Sequence, residues 1–103
     1  MAEKTRLDTA HSVRLKQPSD FEVVIWNDEV TTMDFVVHIL TTVFLKEPQA
    51  AAALMMEVHE NGHGIAGVYT LDIAASKKAR ADAMSAENGF PLKLTLREIS
   101  DGA

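Results

Sequence analysis

Asn27, Asp28 and Glu29 set a carboxamide and two carboxylates side by side, directly after the apolar run Phe21–Trp26 and directly before Thr31-Thr32-Met33-Asp34. Acceptors gathered where an apolar run has just stopped make a rim suited to a small cation. The same triplet also describes a polar turn, because Asn and Asp side chains bond their own backbone. Further along, His59 closes the apolar stretch Ala50–Val58, with Met55 one helical turn earlier on the same face. A histidine there either lines a pocket wall or is an ordinary boundary residue, and Met55-Met56 at such spacing reads as core more often than as pocket. His59-Glu60-Asn61-Gly62-His63 also matches H-E-x-x-H, in which two histidines on one helical turn hold Zn²⁺ and the glutamate acts as general base. A small zinc-dependent hydrolase is therefore the alternative function. Gly62 interrupts the turn that this chemistry needs, and no motif nominates a third ligand among Asp72, Asp82 and Glu87. Neither a nucleophile motif around a serine nor a phosphate-binding glycine loop is present.

The elements that must position these residues follow from periodicity. Phe21–Trp26 is β-branched and aromatic, hence a strand. Thr31 with Asp34 imitates a capping box, and a first helix is expected over about Thr32–Leu45 with Val36, Ile39, Leu40 and Val43 as its apolar stripe. Pro48 suits the first turn of a second helix, whose face Ala51, Leu54, Met55 and Val58 is stopped by Gly62. Gly64–Leu71 reads as a strand, and Thr70 as the cap of a third helix ending before Gly89. Leu92, Leu94 and Leu96 alternate with Lys93, Thr95 and Arg97, the pattern of a strand with one dry face. The order is β-α-α-β-α-β, an α+β single domain with a three-stranded antiparallel sheet packed by helices. Residues 1–20 are polar, contain Pro18 and read as a flexible N-terminal tail.

At 103 residues with 47% apolar content, the chain has enough material for one core without staples. With no cysteine, a disulfide framework and thiol catalysis are excluded. No apolar run approaches the roughly 20 residues of a membrane span, and Met-Ala-Glu-Lys-Thr-Arg lacks a signal peptide's apolar segment, so a cytoplasmic location away from membranes is expected. The formal charge of −5 argues against nucleic acid, which needs clustered Lys and Arg. Only Lys77, Lys78 and Arg80 form a basic group, which by composition is a solvated helix face.

Taken in order, the strand, Asn-Asp-Glu, Thr-x-Met, an amphipathic helix, Met-Met-Glu-Val-His, Gly-Ile-Ala-Gly-Val-Tyr-Thr and Asn-Gly-Phe-Pro-Leu resemble the ClpS family over roughly Phe21 to Glu98. Those proteins are adaptors that bring N-degron (N-end rule) substrates to the AAA+ unfoldase of a Clp protease. The resemblance implies that 21–103 form the adaptor domain, and that no catalytic residue, metal or cofactor is used. By the same resemblance Asn27, Asp28, Glu29 and His59 contact the substrate's α-amino group, while Thr31, Met33, Met55, Val58 and Leu92 line or gate a hydrophobic pocket. Asp72 and Lys77 match a charged edge that meets the N-terminal domain of a ClpA-like unfoldase. The family usually reads Asn-Asp-Asp, an aromatic, then Thr-Pro-Met, where this chain has Glu29, Val30 and Thr32.

The chemistry of such a ligand agrees with the residues. An α-ammonium offers donors and a positive charge, so its site should supply acceptors only. Asp28, Glu29, the Asn27 carbonyl and a neutral His59 nitrogen meet that need. Each charge-assisted hydrogen bond is worth about 1.5–3 kcal/mol, and burying a Leu or Phe side chain adds about 1.5–3 kcal/mol. Neither half suffices alone once association entropy is subtracted. The expected function is recognition of a free N-terminal Leu, Phe, Tyr or Trp, with the tail helping to hand the substrate on.

Overall fold

The run Asp20-Phe21-Glu22-Val23-Val24-Ile25-Trp26 forms β1 (Asp20–Trp26), the centre of the sheet. The computed structural model describes residues 19–99. The tail expected over residues 1–20 therefore lies, up to Pro18, outside the described residues. After β1 come α1 (Met33–Thr42), α2 (Pro48–Asn61), β2 (His63–Thr70), α3 (Leu71–Glu87) and β3 (Lys93–Ile99). The sheet is three-stranded and antiparallel in the order β2-β1-β3, so the first strand pairs with both others. This is the expected α+β arrangement.

Alternation sorts β1 into two faces. Val23 and Ile25 are fully buried beneath the helices with Leu94 of β3 and Ala66 of β2, while Glu22 and Trp26 point the other way. On that outer face Arg97 forms an ion pair with Glu22 across β1 and β3, and the Trp26 indole donates to Thr95 Oγ1 at 2.9 Å. The register of β1 against β2 shifts between Val23 and Val24, a bulge that leaves Ala66 as the extra residue.

Helix α1 buries Phe35, Val36, Ile39 and Leu40, the expected stripe with Phe35 added. Both of its ends differ from expectation. Thr32, not Thr31, is the N-cap, and its Oγ1 accepts from the Phe35 N–H at 3.1 Å. At the other end the helix stops at Thr42 rather than Leu45. Leu45 is left-handed with φ 56°, the Phe44 N–H reaches the Ile39 carbonyl at 3.4 Å, and the Lys46 N–H reaches the Leu40 carbonyl at 3.0 Å. This widened last turn redirects the chain toward Pro48, which opens α2.

Helix α2 ends on Gly62 at φ 92°, a left-handed cap that glycine adopts without strain, and the Gly62 N–H bonds the Val58 carbonyl at 2.9 Å. Thr70 is the N-cap of α3, but its hydroxyl donates to Asp72 Oδ1 at 2.8 Å instead of accepting from the backbone. The sheet-facing residues of α3 are small: Ala74, Ala81 and Ser85 are buried, and the Ser85 hydroxyl is satisfied by the Ala81 carbonyl at 2.8 Å. Small side chains let α3 lie close to the sheet, and the chain then turns through Gly89 so that Phe90 packs at a tilt against Phe35 with centroids 4.8 Å apart. Among the described residues no helix is long and apolar enough to cross a membrane.

Candidate functional site

Where β1 ends, its central position in the sheet fixes what stands beside it. Trp26 pairs with His63, and the next residue, Asn27, donates its backbone N–H to the Gly62 carbonyl at 2.9 Å. The loop leaving β1 is therefore tied to the C-terminus of α2, one turn from His59. Asp28 then organises the loop. Its Oδ1 accepts from the N–H groups of Val30 at 2.8 Å and Thr31 at 2.6 Å, and its Oδ2 accepts from the Thr31 hydroxyl at 2.7 Å. Partial burial pushes the Asp28 carboxyl up, but the bonds from Thr31 and Val30 outweigh it and hold the group below its ordinary value of 3.8. Asp28 is thus a polar-turn residue whose carboxylate is held in its anionic form by the loop it braces.

A groove of about 460 Å³ opens between this loop, the start of α1 and the end of α2. Asn27, Asp28, Glu29 and His59 stand together at its lining, as do Thr31, Met33, Met55 and Val58. Met33 is the first residue of α1, lines the groove and is 42% exposed. Val58 is 2% exposed and belongs to the core as well as to the groove. Val36 completes the lining from α1, one turn beyond Met33; that spacing was the signal for it, although it reads first as ordinary helix stripe. Val30 and Thr32 also border the groove.

Leu92 departs from expectation. It is 6% exposed in the core beside Leu94 and is not part of the groove lining. Its alternation with Leu94 was a core signal, and the sheet turns that face under the helices.

Asp72 and Lys77 come together at a second depression of about 380 Å³, with Val43, Ile73, Ser76 and Arg80. The Thr70 hydroxyl and the Ile73 N–H hold the Asp72 carboxyl below its ordinary value, against a smaller opposing effect of desolvation. Lys77 donates to the Val43 carbonyl at 2.8 Å, and Lys78 pairs with Asp82 at 2.7 Å, so two of the three basic residues are engaged within the fold.

The zinc reading does not survive the geometry. His59 is in α2 and His63 in β2, separated by the left-handed Gly62. The His63 ring stacks on Trp26 on the outer sheet face, with centroids 5.2 Å apart. Two imidazoles cannot share a helical turn that has ended between them. Among the described residues no three His, Asp or Glu side chains gather as a metal site.

Comparison with known proteins agrees with this geometry. The family model described as "ATP-dependent Clp protease adaptor protein ClpS" matches residues 16–95. The ClpS adapter protein of Acetivibrio thermocellus is 49% identical over 92 residues, covering 89% of this chain and 93% of that protein. That of Clostridium acetobutylicum is 45% identical, covering 84% of this chain and 85% of its own length. Among solved structures, Agrobacterium tumefaciens ClpS2 bound to L-phenylalaninamide superposes with a TM-score of 0.78 at 31% identity, covering 81% of this chain and 100% of that one. An acceptor-rimmed groove on this fold, matched in sequence along most of its length, identifies the chain as a member of the ClpS family, adaptors of the ATP-dependent Clp protease and not enzymes themselves.

Proposed function

We propose that this chain binds proteins carrying a free N-terminal Leu, Phe, Tyr or Trp and delivers them to a ClpA-like AAA+ unfoldase. The observation that carries the reading is the division of the groove: acceptors at Asn27, Asp28, Glu29 and His59, and apolar groups at Met33, Val36, Met55 and Val58. An N-terminal hydrophobic residue has the same division, an ammonium on one carbon and an apolar side chain beside it. L-phenylalaninamide, the ligand of the Agrobacterium protein, carries that ammonium, a benzyl side chain and an amide where the next peptide bond would be. Asp28 is anionic at neutral pH, and its hydrogen bonds keep it so further into acid. Three of its roughly four lone-pair directions are used within the loop, so it acts chiefly as a charge and a brace, with Asn27, Glu29 and His59 free to meet the ammonium. Delivery then uses the edge at Asp72 and Lys77, whose depression at the far end of α1 is separate from the groove.

Fluorescence anisotropy with one Leu-initiated peptide, free and N-acetylated, tests the reading. Acetylation removes the charge and donors, so binding should fall by at least about a hundredfold, two charge-assisted hydrogen bonds' worth. Equal affinities would remove amine recognition from this groove.

A further inference from the structure

Gly64 lies in β2 opposite Ile25, buried beneath α2. A Cβ at this position would stand 2.9 Å from Val58 Cγ2 and 3.0 Å from Leu54 Cδ1. The two neighbours differ in how they can respond. Leu54 presents the end of a flexible side chain and can turn aside. Val58 is β-branched and sits in a helix, where one χ1 rotamer dominates, so it cannot turn aside and yields only by shifting as a whole. It is also 2% exposed in a close-packed core, and the free space beside it is the groove that it lines.

We infer that Gly64 is the residue that sets the depth of the groove: the absence of its side chain lets Val58 sit back, and this determines which of the bulky N-terminal residues the chain prefers. The inference rests on the proposed binding of N-terminal residues in this groove and adds a specificity determinant that touches no ligand. The effect of Gly64 on the groove runs through Val58, since Leu54 can turn aside and Glu57 Oε2 would be in ordinary contact at 3.8 Å. A methyl group added behind Val58 drives that side chain into the groove and removes room at its floor. The largest side chain loses most. Trp should suffer, Leu should be nearly unaffected, and the acceptors at Asn27 and Glu29, carried by the loop after β1, should keep their places.

The test compares the parent with Gly64→Ala, Val58→Ala, the double variant of those two and Leu54→Ala/Gly64→Ala, each titrated with Leu-, Phe- and Trp-initiated peptides. Gly64→Ala should lower Trp affinity relative to Leu by about tenfold, the scale of one methylene in an apolar pocket. In the Val58→Ala/Gly64→Ala protein the Trp-to-Leu ratio should match that of Val58→Ala, because the clash has been removed. Leu54→Ala should not restore it. General destabilisation would weaken all three peptides together and leave the ratio alone. An unchanged ratio in folded Gly64→Ala overturns the inference. So does a double variant that still disfavours Trp relative to Val58→Ala, an outcome that remains readable if Gly64→Ala alone fails to fold. A parent protein that binds free and acetylated peptides equally would instead overturn the amine-binding reading, and the inference with it.

Discussion

Lys77 donates to the Val43 carbonyl at 2.8 Å, closing the C-terminus of α1 from α3, and its ammonium stands 5.4 Å from the centre of the Tyr69 ring. A cation at a helix C-terminus satisfies an orphan carbonyl and meets the negative end of the helix dipole. Lys77 is therefore part of the scaffold, besides lying on the edge proposed to meet the unfoldase. Lys77→Ala should cost about 1 kcal/mol of stability, lowering Tm by about 4–8 °C. Docking measured well below that melting point separates the two roles: a variant that is less stable but delivers substrate at the parent rate would take Lys77 out of the interface.

Asp28 predicts a divided phenotype. Asp28→Ala should weaken Leu-peptide binding at least tenfold, and should also cost about 1 kcal/mol because three hydrogen bonds to Val30 and Thr31 are lost. His59→Ala should weaken binding to a similar degree while leaving the melting temperature close to the parent's. If both variants bind as the parent does in fluorescence anisotropy, the amine site lies elsewhere.

The same carboxylate sets an acid limit. Its folded value lies below the ordinary 3.8, so its contribution to stability is complete above 3.8 and disappears as pH falls through the lower, folded value. Thermal melts of the parent and Asp28→Asn should therefore differ by a constant amount from pH 7 to pH 5 and converge only in strong acid. Convergence near neutrality would contradict the hydrogen-bonded anion.

Met33, the first residue of α1, lines the groove. If Met33 acts as the proposed gate, a ligand side chain branched at Cβ is broadened where the thioether would narrow the groove. Met33→Ala should admit Ile- or Val-initiated peptides. An isothermal titration in which Leu is preferred over Ile as strongly as in the parent would count against a gate.

Thr32 is the N-cap of α1, so replacing it by proline removes the acceptor for the Phe35 N–H. Thr32→Pro and Thr32→Ala should each lose about 1 kcal/mol. Combined with Glu29→Asp, Thr32→Pro should also alter the ranking among Leu, Phe, Tyr and Trp, since Met33 follows the cap directly. Identical melts for parent and Thr32→Ala would show the cap bond to be worthless.

Much of this architecture is written in local pattern. The alternation of Leu92, Leu94 and Leu96 marks β3, and the spacing of Val36, Ile39 and Leu40 marks the buried face of α1, because strand and helix repeat at different periods. Pro48 and Gly62 bound α2 for reasons internal to their own backbones. The grouping of Asn27, Asp28 and Glu29 at the end of an apolar run, and of Met55 and His59 on one helix face, also needs no tertiary information.

Pairing across the chain was decided only by the fold. Thr31 and Thr32 are chemically alike neighbours, and which one caps α1 depends on Asp28 having already engaged Thr31. Leu92 has the same residue type as a pocket-lining leucine would have, but, standing just before β3, it is buried in the core beside Leu94. Lys77 meets Val43, and Asn27 meets Gly62, through contacts between residues far apart in sequence. Periodicity reports which side of an element is dry; the register of the sheet and the angle of the next helix determine what that side touches. Residue types and order therefore marked the ingredients of the groove, while closure of β1 between β2 and β3 brought the end of α2 against the acidic loop and made it a single site.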